Sequence, residues 1–330
     1  MLRSLPKIDV ATLIAFGCIV LLLLLGAVAK PGFLSVDYLG QQLQVAAFLG
    51  IIATGEMIVI LMGQIDLSIP WTICIGGMMA TGASGILGAA LGGPLAVPFG
   101  MLCGALVGVV NGWGVAYLRA PSMIFTLGMN AVAQGLMVYH TGGFAPQDRA
   151  TPLMIELASG QLIPGFSNPL LVWFVLGAAT VYLLTRTVFG RQVYAIGNRE
   201  RAVFLSGVDS RRVTLIAFAF SGACAAAGGV MLAGWANRSY QAMGDAYLLP
   251  TIAAIVLGGT NVLGGRGTYI GTVAGVILIT LLQSILSVLQ PQDYFAAIGI
   301  KLPADVFRQV VFGLVIIVMM MLYGREKAMR

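Results

Sequence analysis

Charge is scarce in this chain, and its scarcity excludes most ordinary soluble functions. Lys, Arg, Asp and Glu make up 9% of 330 residues, against roughly 25% in soluble domains. Hydrophobic residues make up 59%. No soluble core could hide that much apolar surface, so lipid must be the solvent. Histidine occurs once, at His140, and a metal centre needs clustered ligands. No H-E-x-x-H or G-x-S-x-G pattern is present. The lysines are Lys7, Lys30, Lys301 and Lys327, and none follows a glycine. A G-K-[ST] phosphate loop is therefore absent, and any ATP energy must enter through another protein. Cys18, Cys74, Cys103 and Cys224 all fall inside apolar segments with no pairing or zinc spacing, and read as small packing residues.

What the chain does have is a series of long apolar runs. Spans are expected at about 10–29, 40–62, 70–91, 95–117, 122–139, 169–185, 213–234, 248–257, 268–289 and 305–323. Gly92-Gly93-Pro94 reads as the turn between the third and fourth. The eighth is too short to cross and reads as a broken helix. The run Val10–Ala29 follows Arg3 and Lys7 and is longer than a usual signal core, so an uncleaved first helix is expected. The whole of 1–330 reads as one all-α, polytopic transmembrane domain. External loops are expected at about 140–169, 235–247 and 290–304, and a cytoplasmic loop at about 186–213.

The basic residues test that layout. The net charge is +6, but Lys and Arg gather at the ends of apolar runs, which suits topology control rather than nucleic-acid binding. With the N-terminus in the cytoplasm and ten alternating segments, 13 of the 18 basic residues fall inside. The positive-inside rule then places both termini in the cytoplasm of a bacterial inner membrane. Six of those residues, Arg186, Arg191, Arg199, Arg201, Arg211 and Arg212, lie in the single stretch Thr185–Val213. Within it Asn198 is expected to cap a short helix, with Glu200 in its first turn and Gly207 as its stop. A helix of about eight residues is marginal alone, so it must dock on the membrane surface or on another protein.

Polar residues inside the apolar runs are few. Glu56 and Asp66 are carboxylates at membrane depth and so candidates for function. Glu56 fits a proton site, or a carboxylate paired inside the bundle. Asp66 sits in Gly63-Gln64-Ile65-Asp66-Leu67-Ser68, where irregular backbone needs a polar cap. Thr126, Asn130 and Gln134 recur at spacing four on one helix face. They read equally as a hydrophilic path for a hydroxyl-rich solute or as interhelical hydrogen bonds. Gly100, Gly104 and Gly108, and Gly267, Gly271 and Gly275, form ladders for close helix packing, within one subunit or across a dimer.

Four segments, in register, resemble the permease subunits of ribose-type sugar ABC importers. Gly63 to Ser68 is similar to that family's G-G-I-D-L-S. Pro121 to Gly128 is similar to P-x-x-I-x-T-L-G. Tyr194 to Asn198 with Leu205-Ser206-Gly207 is similar to Y-A-I-G…L-S-G. Ile252 to Thr260 with Gly264-Gly265-Arg266-Gly267 is similar to I-A-A-V-V-L-G-G-T…G-G-R-G. Gln64 and Ile69-Pro70-Trp71 depart from the family pattern, beside Asp66.

The resemblance implies a vitamin-B12-importer-like fold with inverted repeats, a dimer with a second copy or a paralogous permease, and import of a small sugar. An external binding protein would deliver the sugar. A cytoplasmic ABC ATPase would bind the ATP and magnesium, the permease holding no cofactor of its own. It also implies an ATPase-coupling role for Asn198, Arg199, Glu200, Arg201, Ala202, Leu205, Ser206 and Gly207, with Ala202, Val203 and Leu205 filling an apolar groove. The pathway would involve Asp66, Thr126, Asn130 and Gln134. Gly63, Ser68, Gly258, Gly259, Gly264, Gly265 and Gly267 would form the structural signature. The rival expectation is a proton-coupled secondary transporter using Glu56.

Overall fold

The computed structural model describes residues 10–289 together with positions 306, 310, 313, 314 and 317. The expected tenth segment, the loop 290–304 and both terminal tails lie outside the described residues apart from those positions. The described residues form α1 (Val10–Ala29), α2 (Val36–Leu61), α3 (Ile69–Thr81), α4 (Ala83–Leu87), α5 (Ala89–Ala116) and α6 (Ser122–His140). There follow α7 (Pro152–Ser159), α8 (Asn168–Arg186), α9 (Val188–Leu205), α10 (Ser210–Trp235), α11 (Leu248–Leu257) and α12 (Tyr269–Leu289). No strand element occurs among them. Seven helices, α1, α2, α5, α6, α8, α10 and α12, are long and apolar enough to cross a membrane, while α3 and α11 are shorter.

Hydrogen bonds between chain-distant residues define two ends of the bundle. At one end Leu61 accepts from the Gly265 amide at 2.8 Å, Ser122 accepts from the Ile65 amide at 3.3 Å, and Tyr194 donates to the Gly267 carbonyl at 2.8 Å. At the other end Thr81 meets Ser239 at 2.9 Å, and Gln241 donates to Thr141 at 3.1 Å. Between these ends the chain runs back and forth, with α3 and α11 too short to cross alone and the segment before α11 reaching back to Pro70. Arg119, Arg266 and the six arginines of 185–213 belong to the first end, and Lys30, Arg149 and Arg238 to the second.

α2 and α10 make the centre. Every residue from Ala46 to Leu61 is buried, so the bundle surrounds that half of α2 on all sides. α1, α5, α6 and α8 present apolar side chains outward, among them Leu24, Leu102, Ile124 and Phe174, as a lipid-facing shell requires. Glycine sets the helix spacing. A methyl group on Gly104 would lie 2.5 Å from the Gly222 carbonyl oxygen, and one on Gly258 would overlap the Gly271 backbone. Within the chain, Gly104 and Gly108 meet α10 backbone, Gly100 meets α3 at Gly76, and Gly271 and Gly275 meet Gly258 and Ala254.

Several boundaries differ from the sequence reading. The break between the third and fourth spans falls at Gly82 and Gly88, not at Gly92-Gly93-Pro94, which lies inside α5. Gly88 supplies the left-handed φ of 83° that the turn needs. Pro94 keeps a φ compatible with helix, and the carbonyl it leaves unpaired lies in the first turn, where neighbours can satisfy it. Gly92 instead lets α4 approach, since a methyl there would overlap the Ser84 backbone. α2 starts at Val36, because Ser35 caps it by accepting from the Tyr38 amide at 3.3 Å, with Asp37 in the first turn. The expected external loop 140–169 contains α7, which Thr151 caps ahead of Pro152.

A matched pair of substitutions tests the packing. Gly104→Ala should cost about 1–3 kcal/mol through overpacking against α10. Gly128→Ala, on α6 with nothing within 4 Å of a new methyl, should leave the thermal unfolding midpoint of the purified protein unchanged or raised.

Candidate functional site

A buried polar cluster is built near the first end of the bundle, where α2 stops and α3 has not begun. Gly63 turns the chain with φ 75°, a conformation that costs a side-chain-bearing residue free energy. The stretch that follows is irregular backbone inside an apolar bundle, where each unpaired N–H costs about 1–3 kcal/mol. Every amide from Met62 to Ser68 has an acceptor. Met62, Gly63 and Gln64 donate back to Val59, Ile60 and Val59. Ile65 donates to Ser122 Oγ at 3.3 Å. Asp66 donates to Glu56 Oε1 at 3.0 Å, and Leu67 to Thr126 Oγ1 at 2.9 Å. Ser68 donates to Asp66 Oδ1 at 2.9 Å. Past the break, Trp71 donates to Asn130 Oδ1 at 3.3 Å.

Ser122, Thr126 and Asn130 stand at four-residue intervals on α6, so one helix face presents three acceptors to an extended partner. Thr126, expected along the pathway, thus meets the break, and Asn130, expected there too, meets Trp71 in the first turn of α3. Gln134, one step further, is exposed and away from it. Ser122 extends the same stripe backwards, so its spacing was a readable signal.

Glu56 and Asp66 are 0% and 2% exposed. Ser68 Oγ donates to Asp66 Oδ1 at 2.6 Å. Asn111 Nδ2 donates to Ser68 Oγ at 2.7 Å and to Asp66 Oδ1 at 3.3 Å. Ser221 Oγ donates to Glu56 Oε2 at 3.4 Å. The cluster joins α2, α3, α5 and α10 without a cationic partner among the described residues, whose ion pair lies elsewhere, between Arg212 and Asp209. Asp66 also precedes the N-terminus of α3, whose dipole favours negative charge. Asn111 is the one amide or charged side chain in α5, which was its signal. Ser221 has none in a helix rich in small residues.

The arginine-rich stretch folds as α9. It begins ten residues before the expected cap, where Thr187 accepts from the Gly190 amide at 3.3 Å. Its helix is interrupted at Arg199, with φ −159° and ψ 91°. Asn198 is therefore not the cap of the second half. Its side chain lies instead where a methyl on Gly265 would meet it at 2.5 Å. Glu200 accepts from Ser210 Oγ at 3.2 Å. Val203 faces the chain's own core at 8% exposure, so it cannot fill a partner's groove, whereas Phe204 and Leu205 are 63% and 85% exposed. Arg199, Arg201, Ala202 and Ser206 are exposed. Gly207 ends the segment with φ 79°. A groove of about 510 Å³ opens beside the interruption, lined by Ala195, Asn198, Arg199, Ala202, Val203 and Ser206.

Three sequence signatures meet below the break. The Gly265 amide caps α2 through the Leu61 carbonyl. A methyl on Gly264 would lie 3.0 Å from both Gly63 Cα and Gly197 Cα. Tyr194 reaches the Gly267 carbonyl, and burial pushes its phenol above the ordinary value. Gly258 and Gly259 begin the same loop, where Gly259 has φ 94°.

The family described as "Branched-chain amino acid transport system / permease component" matches residues 38–320. The ribose import permease protein of Haemophilus influenzae is 31% identical over 291 residues, 86% of this chain and 88% of that protein. Its Escherichia coli K12 counterpart is 31% identical over 285 residues, 85% and 88% of the two chains. The autoinducer 2 import system permease protein of Shigella flexneri is 33% identical over 265 residues, 79% and 76%. No solved structure matches.

Thr126 offers the cleanest test of the break. Thr126→Val orphans the Leu67 amide and should destabilise the purified protein by about 1–3 kcal/mol. Thr126→Ser keeps the acceptor and should unfold close to wild type in the same thermal measurement.

Proposed function

The chain belongs to the family of branched-chain amino acid transport system permease components, together with the ribose import permeases, and from that membership we propose that it is the translocation subunit of an ATP-driven importer of a small sugar or related hydroxyl-rich solute. It is read as a membrane conduit and not an enzyme, with ATP and magnesium held by a separate cytoplasmic ATPase. The relatives matched over most of both chains are named for ribose and autoinducer 2, which supports a small sugar or related cargo.

The observation that carries the reading is the pair Phe204 and Leu205. They stand exposed on a segment too polar to span, flanked by Arg199 and Arg201. The end of the bundle that holds this pair also holds most of the described arginines, which supports a cytoplasmic setting in a bacterial inner membrane. An apolar tip with a basic rim is the anatomy of a docking surface, and the absence of a phosphate loop requires such a partner. The runs α2–α3–α5 and α10–α11–α12 each pair long helices with a short one, of 13 and 10 residues. That pattern supports paired repeats around a central path. A second permease copy and an external sugar-binding protein complete the proposed assembly.

The proton-coupled reading gains no support from the site. Glu56 has no exposed surface, and its oxygens are engaged by the Asp66 amide and Ser221.

Phe204→Asp and Leu205→Asp should each weaken retention of the ATPase on the purified permease by about tenfold or more, the scale of losing a buried hot-spot side chain. The thermal midpoint of the permease alone should not move. Sugar uptake in cells should collapse on ATP depletion and survive a protonophore. Intact ATPase retention in both variants, or uptake abolished by the protonophore with ATP still present, contradicts the reading.

A further inference from the structure

The docking half of α9 is joined to the rest of the helix through one extended residue, Arg199. Two residues before that joint, Gly197 lies directly against other backbone. A methyl there would overlap the Leu61 carbonyl oxygen and the Gly265 amide nitrogen. The Leu61 carbonyl is the same group that accepts the Gly265 hydrogen bond at 2.8 Å. Gly264 in turn lies against both Gly63 and Gly197. Backbone from α9, from the loop 258–267 and from the end of α2 therefore meets with no side chain between.

Side chains can absorb small displacements by changing rotamer, whereas backbone in contact cannot. Closely packed elements consequently move together or not at all. Gly63 then leads within two residues to Ile65 and within four to Leu67, whose amides are held by Ser122 and Thr126. A shift at Gly197 has a short route to the hydrogen bonds of the break. The loop itself is stiff. Asn261 donates to the Gly264 carbonyl at 3.1 Å and its amide donates to the Arg266 carbonyl at 2.8 Å. Tyr194, one turn before Asn198 on α9, holds the far end of the loop through Gly267.

We propose that the loop 258–267 is a positioning element of the transport cycle, a latch through which movement of α9 reaches the break at 63–68, with Tyr194, Gly197 and Gly265 as its contact residues. The inference rests on the reading of the chain as an ATP-driven importer. None of these three residues belongs to the exposed docking tip, so the latch and the docking surface are separable by mutation.

The test uses the full-length permease, co-expressed with its ATPase and binding protein, carrying Gly265→Ala or Tyr194→Phe. Gly265→Ala places a methyl against Asn198 at a φ of 76°. Tyr194→Phe removes only the hydroxyl and leaves the ring in place, so it covers the case in which the first variant fails to fold. Three quantities are read: ATPase retained on purification, ATP hydrolysed by the complex, and sugar taken up. Retention and hydrolysis should stay at wild-type level in Tyr194→Phe while uptake falls roughly 2- to 10-fold, the effect of losing one net hydrogen bond. Folded Gly265→Ala should lose uptake at least as strongly, again with hydrolysis preserved. Wild-type uptake in both variants overturns the latch, and so does a parallel fall in uptake and hydrolysis with the complex intact. A wild-type complex without ATP-dependent sugar uptake overturns the importer reading itself and is told apart by that control.

Discussion

A backbone that leaves helical geometry inside lipid must find every hydrogen-bond partner within the protein. That requirement organises the centre of this chain. The break from Gly63 to Ser68 survives because α2 lends the Glu56 carboxylate, α6 lends Ser122 and Thr126, and Asp66 accepts from the Ser68 amide two residues on. Glu56, Asp66, Ser122 and Thr126 are committed to that task. The Glu56–Asp66 cluster is intelligible on the same terms, as acceptors gathered around donors that water cannot reach. A break whose every amide is bonded is rigid at rest. It changes only when something displaces the backbone that its side chains hold.

Glycine provides the means of displacement. Close approach along α5 and α10 fixes the scaffold, and close approach at Gly197, Gly264 and Gly265 ties the arginine-rich segment to the end of α2. The same residue type thus serves two purposes. Along helices it removes side chains so that ridges interlock. At the latch it removes them so that three backbones touch while adopting positive φ at Gly63, Gly264 and Gly265. Function on this account lies in the contrast between a stiff bonded centre and an exposed, interrupted α9.

The sequence made some of this readable. The order of the described spans followed from apolar length, because a helix must be long and apolar to cross lipid. Asp66 as a backbone cap followed from its glycine and serine neighbours. Thr126 and Asn130 followed from helical spacing, but Gln134 shared that spacing and lies outside the cluster, because periodicity names a face and not its length of contact. Gly92-Gly93-Pro94 carried a strong turn signal, yet tertiary approach to Ser84 made it helix. Val203, expected to fill a partner's groove, is buried against the chain's own core, while its neighbour Phe204 is exposed. The meeting of Gly63, Gly197 and Gly265 rests on contacts more than 60 residues apart in the chain, which local pattern does not encode.

The central claim is that the break is a fully bonded element and not a loose connection. Amide hydrogen exchange of the intact permease in lipid nanodiscs reads it directly. The amides of Ile65, Asp66, Leu67 and Ser68 should exchange as slowly as those of the buried half of α2. Exchange at those positions as fast as in the exposed turn at Gly142–Phe144 would contradict it.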